Sequence, residues 1–307
     1  MKQKIVTLVG GSGFVGRHLV KALCDEGYTV RVLCRDTIAA ESLTTAGTVG
    51  QVVLQHADIT TPTSLSGAFA GSFAVINLVS TLYSRGKQNF KALNVTGAEA
   101  IAKEAATAGA TRLIHFSALG IEQAQDTQYG RTKLQGEAAV KAAFPATTFF
   151  RPSIIFGHGD GFFERFARMS SLSPALPVIG GGKTLFQPIY VEDVALAVVA
   201  TLARPDTAGN TYALAGTKRY SFKTLLQMIL DITGRKRLLA RLPSPIASLM
   251  GGVSELLPFP PAITRDQVRI LAHDNIQREG DTGIDALGIT PRALESLLPE
   301  ILKRYHV

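Results

Sequence analysis

An apolar run, Val6-Thr7-Leu8-Val9, enters a turn made almost wholly of glycine, Gly10-Gly11-Ser12-Gly13, and a helix-like segment beginning Phe14-Val15-Gly16-Arg17 leaves it. The glycines read as Gly10-x-x-Gly13-x-x-Gly16 or as Gly11-x-Gly13-x-x-Gly16. A turn without side chains lets bare backbone approach an anion, and the helix that follows aims its free N–H groups and partial positive charge at the same point. A pyrophosphate is the expected guest. Gly10, Ser12, Gly13, Phe14, Val15 and Gly16 are the residues whose backbone would hold it. The position after a strand and before a helix separates this pattern from a chance glycine-rich turn.

Up to about residue 155 the chain alternates short apolar runs with helical segments. Strands are expected at Ile5–Val9, Thr29–Leu33, Val52–Gln55, Ala74–Val79, Arg112–Phe116 and Thr147–Phe150. Helices are expected near Gly13–Glu26, Thr37–Ala46, Thr63–Ala70, Phe90–Ala108 and Tyr129–Ala143. Continuous rather than alternating apolar strands suit a parallel sheet covered on both faces. Right-handed crossovers then give an α/β fold with a doubly wound (Rossmann) parallel sheet. After Arg151-Pro152 the alternation fails, and loops rich in glycine and proline follow. Residues 1–155 are therefore expected to form the dinucleotide-binding domain, with return segments near 185–204. Residues 156–184 and 205–307 make a smaller, discontinuous C-terminal lobe. At 307 residues and 46% hydrophobic, the chain is long enough for both cores. No apolar run reaches the roughly 18–20 residues of a membrane span, and no signal-type segment is seen, so a cytoplasmic protein is expected.

The second strand chooses between nucleotides. NAD-specific sites place a carboxylate about 20 residues past the glycines, on the ribose 2′-hydroxyl. Here the strand runs out as Leu33-Cys34-Arg35, and Asp36 comes one step late. Arg35 offers a guanidinium to a 2′-phosphate, with Arg17 as a second clamp, so NADP(H) is favoured over NAD(H). Asp58, after the third strand, is placed to accept from the adenine amino group, or is an exposed turn acid. Leu78 and Val79 end the fourth strand at the carboxyl edge of the sheet, where ligands of open α/β folds bind.

Ser117 ends the fifth strand, and Tyr129 and Lys133 follow on one helical face. An adjacent ammonium is expected to lower the phenol's pKa from about 10 toward neutrality, making Tyr129 a general acid/base. Ser117 would hold a carbonyl or hydroxyl, and Lys133 would also bind the nicotinamide ribose. The two cysteines, Cys24 and Cys34, and the six scattered histidines suggest neither a disulfide framework nor a metal site. A net charge of +8 favours anionic partners. The cations are dispersed, with Arg235-Lys236-Arg237 the one tight triplet, which argues against nucleic acid.

The glycine turn, Ser117 and Tyr129-x-x-x-Lys133 together resemble the short-chain dehydrogenase/reductase superfamily in its extended or atypical, epimerase/dehydratase-like branch. Asn94-Val95-Thr96-Gly97, Arg151-Pro152-Ser153 and Tyr190-Val191-Glu192-Asp193-Val194-Ala195 add to that likeness. A narrower similarity runs nearly end to end. Gly161-Phe162-Phe163-Glu164, Leu176-Pro177-Val178-Ile179-Gly180-Gly181-Gly182-Lys183, Asp266-Gln267-Val268 and Asp274-Asn275 are similar to the nucleotide-binding accessory subunits of respiratory complex I and their bacterial relatives. That resemblance implies tightly held NADPH, a structural or assembly role beside complex I subunits, and a peripheral position on the inner membrane. An active NADPH-dependent reductase of a small or lipid-like carbonyl is the alternative, with Tyr129 as proton donor. A redox sensor fits less well, because such sensors usually lack the Tyr–Lys pair. The Ser117–Tyr129 spacing is short for a sugar epimerase. Residues 235–261, basic then apolar, would face protein, lipid or their own core.

Overall fold

The computed structural model describes residues 4–256, 259, 261 and 263–307. Seven strands form one sheet: β1 (Ile5–Val9), β2 (Thr29–Cys34), β3 (Val52–His56), β4 (Ser72–Asn77), β5 (Arg112–Phe116), β6 (Thr148–Pro152) and, much later, β11 (Thr211–Leu214). Their order is β11-β6-β5-β4-β1-β2-β3, and every neighbouring pair is parallel. Among the described residues, three small ribbons lie outside it. β7 (Ile155–Phe156) pairs with β10 (Ile189–Tyr190), β8 (Ala175–Ile179) with β13 (Leu238–Leu242), and β9 (Leu185–Phe186) antiparallel with β12 (Tyr220–Ser221).

Each face of the sheet has its own core, as parallel strands require. Val6, Leu8, Val30, Val32, Ile76 and Ile114 meet Leu19 and Leu23 of α1 (Phe14–Asp25) and Val194 and Val198 of α5 (Val191–Ala203). On the other face Val9, Leu33, Val75 and Leu113 meet Ile101 and Ala105 of α2 (Ala98–Thr107) and Val140 of α3 (Gln128–Ala143). A third core joins α4 (Phe163–Leu172), α6 (Phe222–Thr233) and α9 (Leu294–Leu302) through Phe163, Phe222, Leu226 and Leu298. α7 (Ser244–Leu256) and α8 (Arg265–Ile270) pack on each other beside it. No helix among the described residues is long and apolar enough to cross a membrane.

Several local expectations need correcting. The expected helix Thr37–Ala46 is a 3₁₀ segment over Glu41–Ala46 only, where the Thr44 and Thr45 hydroxyls bond back to Glu41 O and Ser42 O. Such side-chain bonding to nearby carbonyls competes with helix growth. Thr63–Ala70 shortens to a 3₁₀ turn, Pro62–Leu65, cut off by Gly67 in the left-handed region. Phe90–Ala108 opens with a π-helical stretch, Ala92–Gly97, before α2 begins. The fourth strand stops at Asn77 because its side-chain Oδ1 turns back to accept the Val79 N–H. Thr211–Leu214, from the segment expected to belong to the second lobe, is the edge strand of the main sheet. In the apolar stretch that ends Leu256-Leu257-Pro258-Phe259-Pro260-Pro261, residues Leu257, Pro258 and Pro260 lie outside the described residues.

Candidate functional site

Strand order reverses between β1 and β4, which opens a crevice at the carboxyl edge. The glycine turn fills its mouth. Gly10 has φ +79°, open to glycine at no steric cost, and its N–H donates to Leu33 O at 3.1 Å. A Cβ on Gly16 would come within 2.3 Å of Gly11 O, so α1 starts in direct contact with the turn that feeds it. Gly13 caps α1 and supplies no side chain to its first-turn N–H groups, among them those of Val15 and Gly16. Phe14 turns its ring away, edge-on to His18. Leu78 and Val79 close the other side. Leu78 N–H donates to Val9 O at 3.0 Å, and Val79 Cγ2 sits 3.0 Å from where a Gly10 Cβ would stand.

At the end of β2, Arg35 is exposed, and its carbonyl bonds His56 Nδ1 at 2.9 Å. Asp36 is turned to local use, its Oδ1 accepting the Ala39 N–H at 2.9 Å. Arg17 folds back over the turn, Nε donating to Ser12 O at 3.0 Å. Asp58 is not an open acceptor at Oδ1, which takes both the N–H and the hydroxyl of Thr60. Partial burial raises its pKa, but the Thr60 bonds, with the nearby Arg35 and His56 charges, outweigh this and leave it below the usual carboxylate range. Arg35 therefore stands within electrostatic reach of Asp58.

Ser117 and Lys133 meet at the end of β5. Lys133 is 1% exposed, and its ammonium donates to Phe116 O at 3.1 Å. Ser117 anchors its own N–H on Phe150 O at 2.7 Å, while its buried hydroxyl has no partner among the described residues. A buried polar group left open in this way asks for a ligand or an ordered water. Tyr129 is half-buried, packed edge-on against Phe90 and hydrogen-bonded to Ser80. The expectation of a lowered phenol pKa is wrong here. Burial pushes Tyr129 up to about 12, the Ser80 bond only partly opposing it. Burial also pulls Lys133 down to about 8, against the pull of the Glu137 carboxylate. Desolvation disfavours the charged form of each group, and it outweighs the Ser80 bond at Tyr129 and the Glu137 charge at Lys133.

Beneath this pair lies His115, which the sequence reading passed over. It is buried and paired to Asn77 at 3.1 Å. Because Asn77 Oδ1 already accepts the Val79 N–H, its amide nitrogen donates to His115 Nδ1. Burial, with Lys133 adding to it, lowers His115 from 6.5 to about 3. The folded protein thus refuses a proton that the unfolded chain accepts below pH 6.5. Stability should fall as pH drops from 6.5 toward 3, by up to about 1.4 kcal/mol per pH unit. Urea titrations between pH 7 and 4.5 should show this slope, and His115→Gln should flatten it. Equal slopes in both proteins would remove His115 as the cause.

Asp266 is the second residue whose role only the fold reveals. Its two oxygens accept the N–H groups of Gln128 and Tyr129 at 2.8 and 2.9 Å, while Thr127 Oγ1 takes that of Gly130. The start of α3 is thereby fully capped, and Tyr129 is fixed from a distant segment. The same segment continues as a strap. His273 pairs with Asp126 at 2.7 Å, Asp274 accepts from Leu185 N–H at 2.8 Å, and Asn275 bonds Leu119 O and Ser153. The Asp266 and Asp274-Asn275 motifs therefore belong to the support of the site.

The family model for the NAD dependent epimerase/dehydratase family matches residues 6–215. The mouse protein named NADH dehydrogenase (ubiquinone) 1 alpha subcomplex subunit 9, mitochondrial, is 32% identical over 303 residues, covering 98% of this chain and 80% of its own. A Caulobacter vibrioides ceramide reductase is 31% identical over 279 residues, 88% of this chain and 84% of its own. Among solved structures, a dTDP-glucose 4,6-dehydratase from Streptomyces venezuelae, with NAD and TYD bound, superposes with TM-score 0.75 at 17% identity. That match covers 98% of this chain and 96% of the other, and speaks to the fold.

Proposed function

The chain belongs to the NAD dependent epimerase/dehydratase family, and from that premise we propose that it is a dinucleotide-loaded accessory or assembly subunit of respiratory complex I that holds NADP(H). The observation that carries this reading is its likeness, over 98% of its length, to a named NADH dehydrogenase subunit. The geometry is consistent with it. The start of α1, which no side chain caps, follows the glycine turn at the crevice, Arg35 stands exposed beyond β2, and Asp36 is spent on Ala39. Nucleotide bound only to the native state stabilises it, by about 2.7 kcal/mol at a hundred times its Kd. A cofactor retained in this way serves to hold the fold in shape for its partners.

A native pull-down from membranes in mild detergent, with mass spectrometry of partners and bound nucleotide, tests both halves. Complex I subunits and NADP(H) should come down together. Recovery of the chain alone, with nucleotide still bound, would sink the subunit assignment and leave the nucleotide one standing.

One observation favours a second reading, an NADPH-dependent reductase of a lipid-like carbonyl. Ser117 keeps an unpartnered hydroxyl beside buried Lys133, with Tyr129 on the same helix, and one relative carries the name ceramide reductase. The nicotinamide, when bound, supplies a hydride. Ser117 would orient the carbonyl oxygen and Tyr129 would protonate it. The same Tyr–Lys pair weighs against a redox sensor.

A further inference from the structure

α7 is turned inside out. Its inward residues are the small ones, Ala247 and Gly251, and a Cβ on Gly251 would stand 2.8 Å from the backbone nitrogen of Arg265 at the start of α8. Its large apolar residues face solvent: Ile246, Leu249, Met250, Val253 and Leu256, with Leu249 72% and Leu256 84% exposed. Their spacing puts them on one stripe of the helix. Phe259 is exposed just beyond its end. A contiguous apolar stripe on a surface marks a contact with something else.

Charge and chemistry indicate what covers it. Arg241 is exposed at the end of β13, with its guanidinium 3.9 Å from where a Gly181 Cβ would lie. Lys183 is exposed after the Gly180–Gly182 turn, which reaches Ser244 at the start of α7. Arg265 and Arg269 are exposed on α8. The one acid of α7, Glu255, is paired with Arg265 at 3.1 Å, and Asp266 is committed to the amides of α3. Arg265 and Glu255 cancel, and Arg241, Lys183 and Arg269 leave the stripe framed by positive charge. It also carries no hydrogen-bonding side chain. A protein interface needs about one hydrogen bond per 100–200 Å², whereas hydrocarbon needs none, and anionic headgroups attract arginine and lysine placed at the rim.

We propose that α7 is a bilayer-docking helix. It lies in the headgroup layer of an anionic membrane, with Leu249, Met250 and Val253 against the acyl chains and Arg241 and Lys183 on the phosphates. This deepens the peripheral membrane position that the resemblance to complex I accessory subunits implies. The fold ties the docked helix to the candidate site, because α8, packed directly behind α7, carries the carboxylate that caps α3 at Tyr129.

Co-sedimentation of the purified full chain with vesicles tests the proposal without any complex I present. Binding is expected to phosphatidylglycerol/phosphatidylcholine vesicles, weakening with salt, and to be much poorer to phosphatidylcholine alone. The double variant Leu249→Ser/Val253→Ser should lower the partition coefficient at least about tenfold. Arg241→Gln should lower it about fivefold, and only on anionic vesicles. The NADPH-induced rise in melting temperature should persist in all variants, which shows that they are folded. Failure of the wild type to bind vesicles, or vesicle binding unaltered in the double variant, overturns the proposal. So does loss of complex I co-purification or of a self-associated species in the double variant when vesicles are ignored, since the occupant is then a protein. A protein that binds vesicles but not complex I would sink the subunit reading and leave this one intact.

Discussion

Arg35→Ala should weaken NADPH binding about ten- to a hundredfold and move NADH affinity by about twofold or less, read by calorimetric titration of the nucleotide-free protein. A hydrogen bond to a charged group is worth about 1.5–3 kcal/mol net, and a guanidinium on a phosphate belongs in that class. Arg35 is the cation at the end of β2, where the second ribose of a dinucleotide held by the glycine turn would lie. It is exposed, so its removal leaves no buried charge behind and no cavity in the core. Asp36, the carboxylate that would otherwise greet a 2′-hydroxyl, accepts the Ala39 N–H. The 2′-phosphate alone distinguishes the two nucleotides. Losses of equal size for NADPH and NADH would therefore remove it from Arg35 and return the choice of cofactor to open question. Arg17 is a different case, since its Nε already donates to Ser12 O, and Arg17→Ala alters the turn as well as the charge.

What could be read without a structure follows from how local each cause is. The glycine turn is local: Gly10 needs a positive φ and Gly16 needs the space beside Gly11, both within seven residues of chain. The Tyr129–Lys133 pairing is also local, being one turn of α3. Their protonation is not. Desolvation sums over every element packed around Tyr129 and Lys133, and a spacing of four residues carries no trace of it. Asn77 and His115 meet because β4 and β5 pair in that register, which no spacing in the sequence announces. Asp266 lies 137 residues from the amide of Tyr129 that it caps. Only the fold shows that this carboxylate holds the start of α3. Asp193 is similar: it is 1% exposed and locked to Arg292 at 2.7 Å, so the Glu192-Asp193 motif serves packing of the C-terminal segment. α7 shows the limit from the other side. Its apolar residues were plain, but which face turned inward depended on where Ala247 and Gly251 could approach α8.

Tyr129→Phe should separate the two proposed functions. If the chain is a reductase, the substitution lowers turnover about a hundred- to ten-thousandfold, the usual worth of a placed proton donor. NADPH affinity should change little, because the ring that packs on Phe90 is retained and only the bond to Ser80 is lost, at about 1 kcal/mol. The raised pKa also fixes the direction. With Tyr129 at about 12, the phenol is protonated at any physiological pH, so it is an acid ready to give a proton and a poor base. Carbonyl reduction should then be nearly flat with pH up to about the Lys133 value of 8, while alcohol oxidation should be slow and rise with pH. Single-turnover oxidation of bound NADPH against a panel of lipid ketones, from pH 6 to 9, measures both points. If the chain is a subunit, wild type and Tyr129→Phe alike leave NADPH unoxidised across the panel and co-purify equally with complex I subunits. A wild-type protein that turns over while Tyr129→Phe keeps most of its rate would displace Tyr129 from the chemistry and move the proton to another donor. Ser117, whose hydroxyl is buried without a partner, would then be the next residue to change.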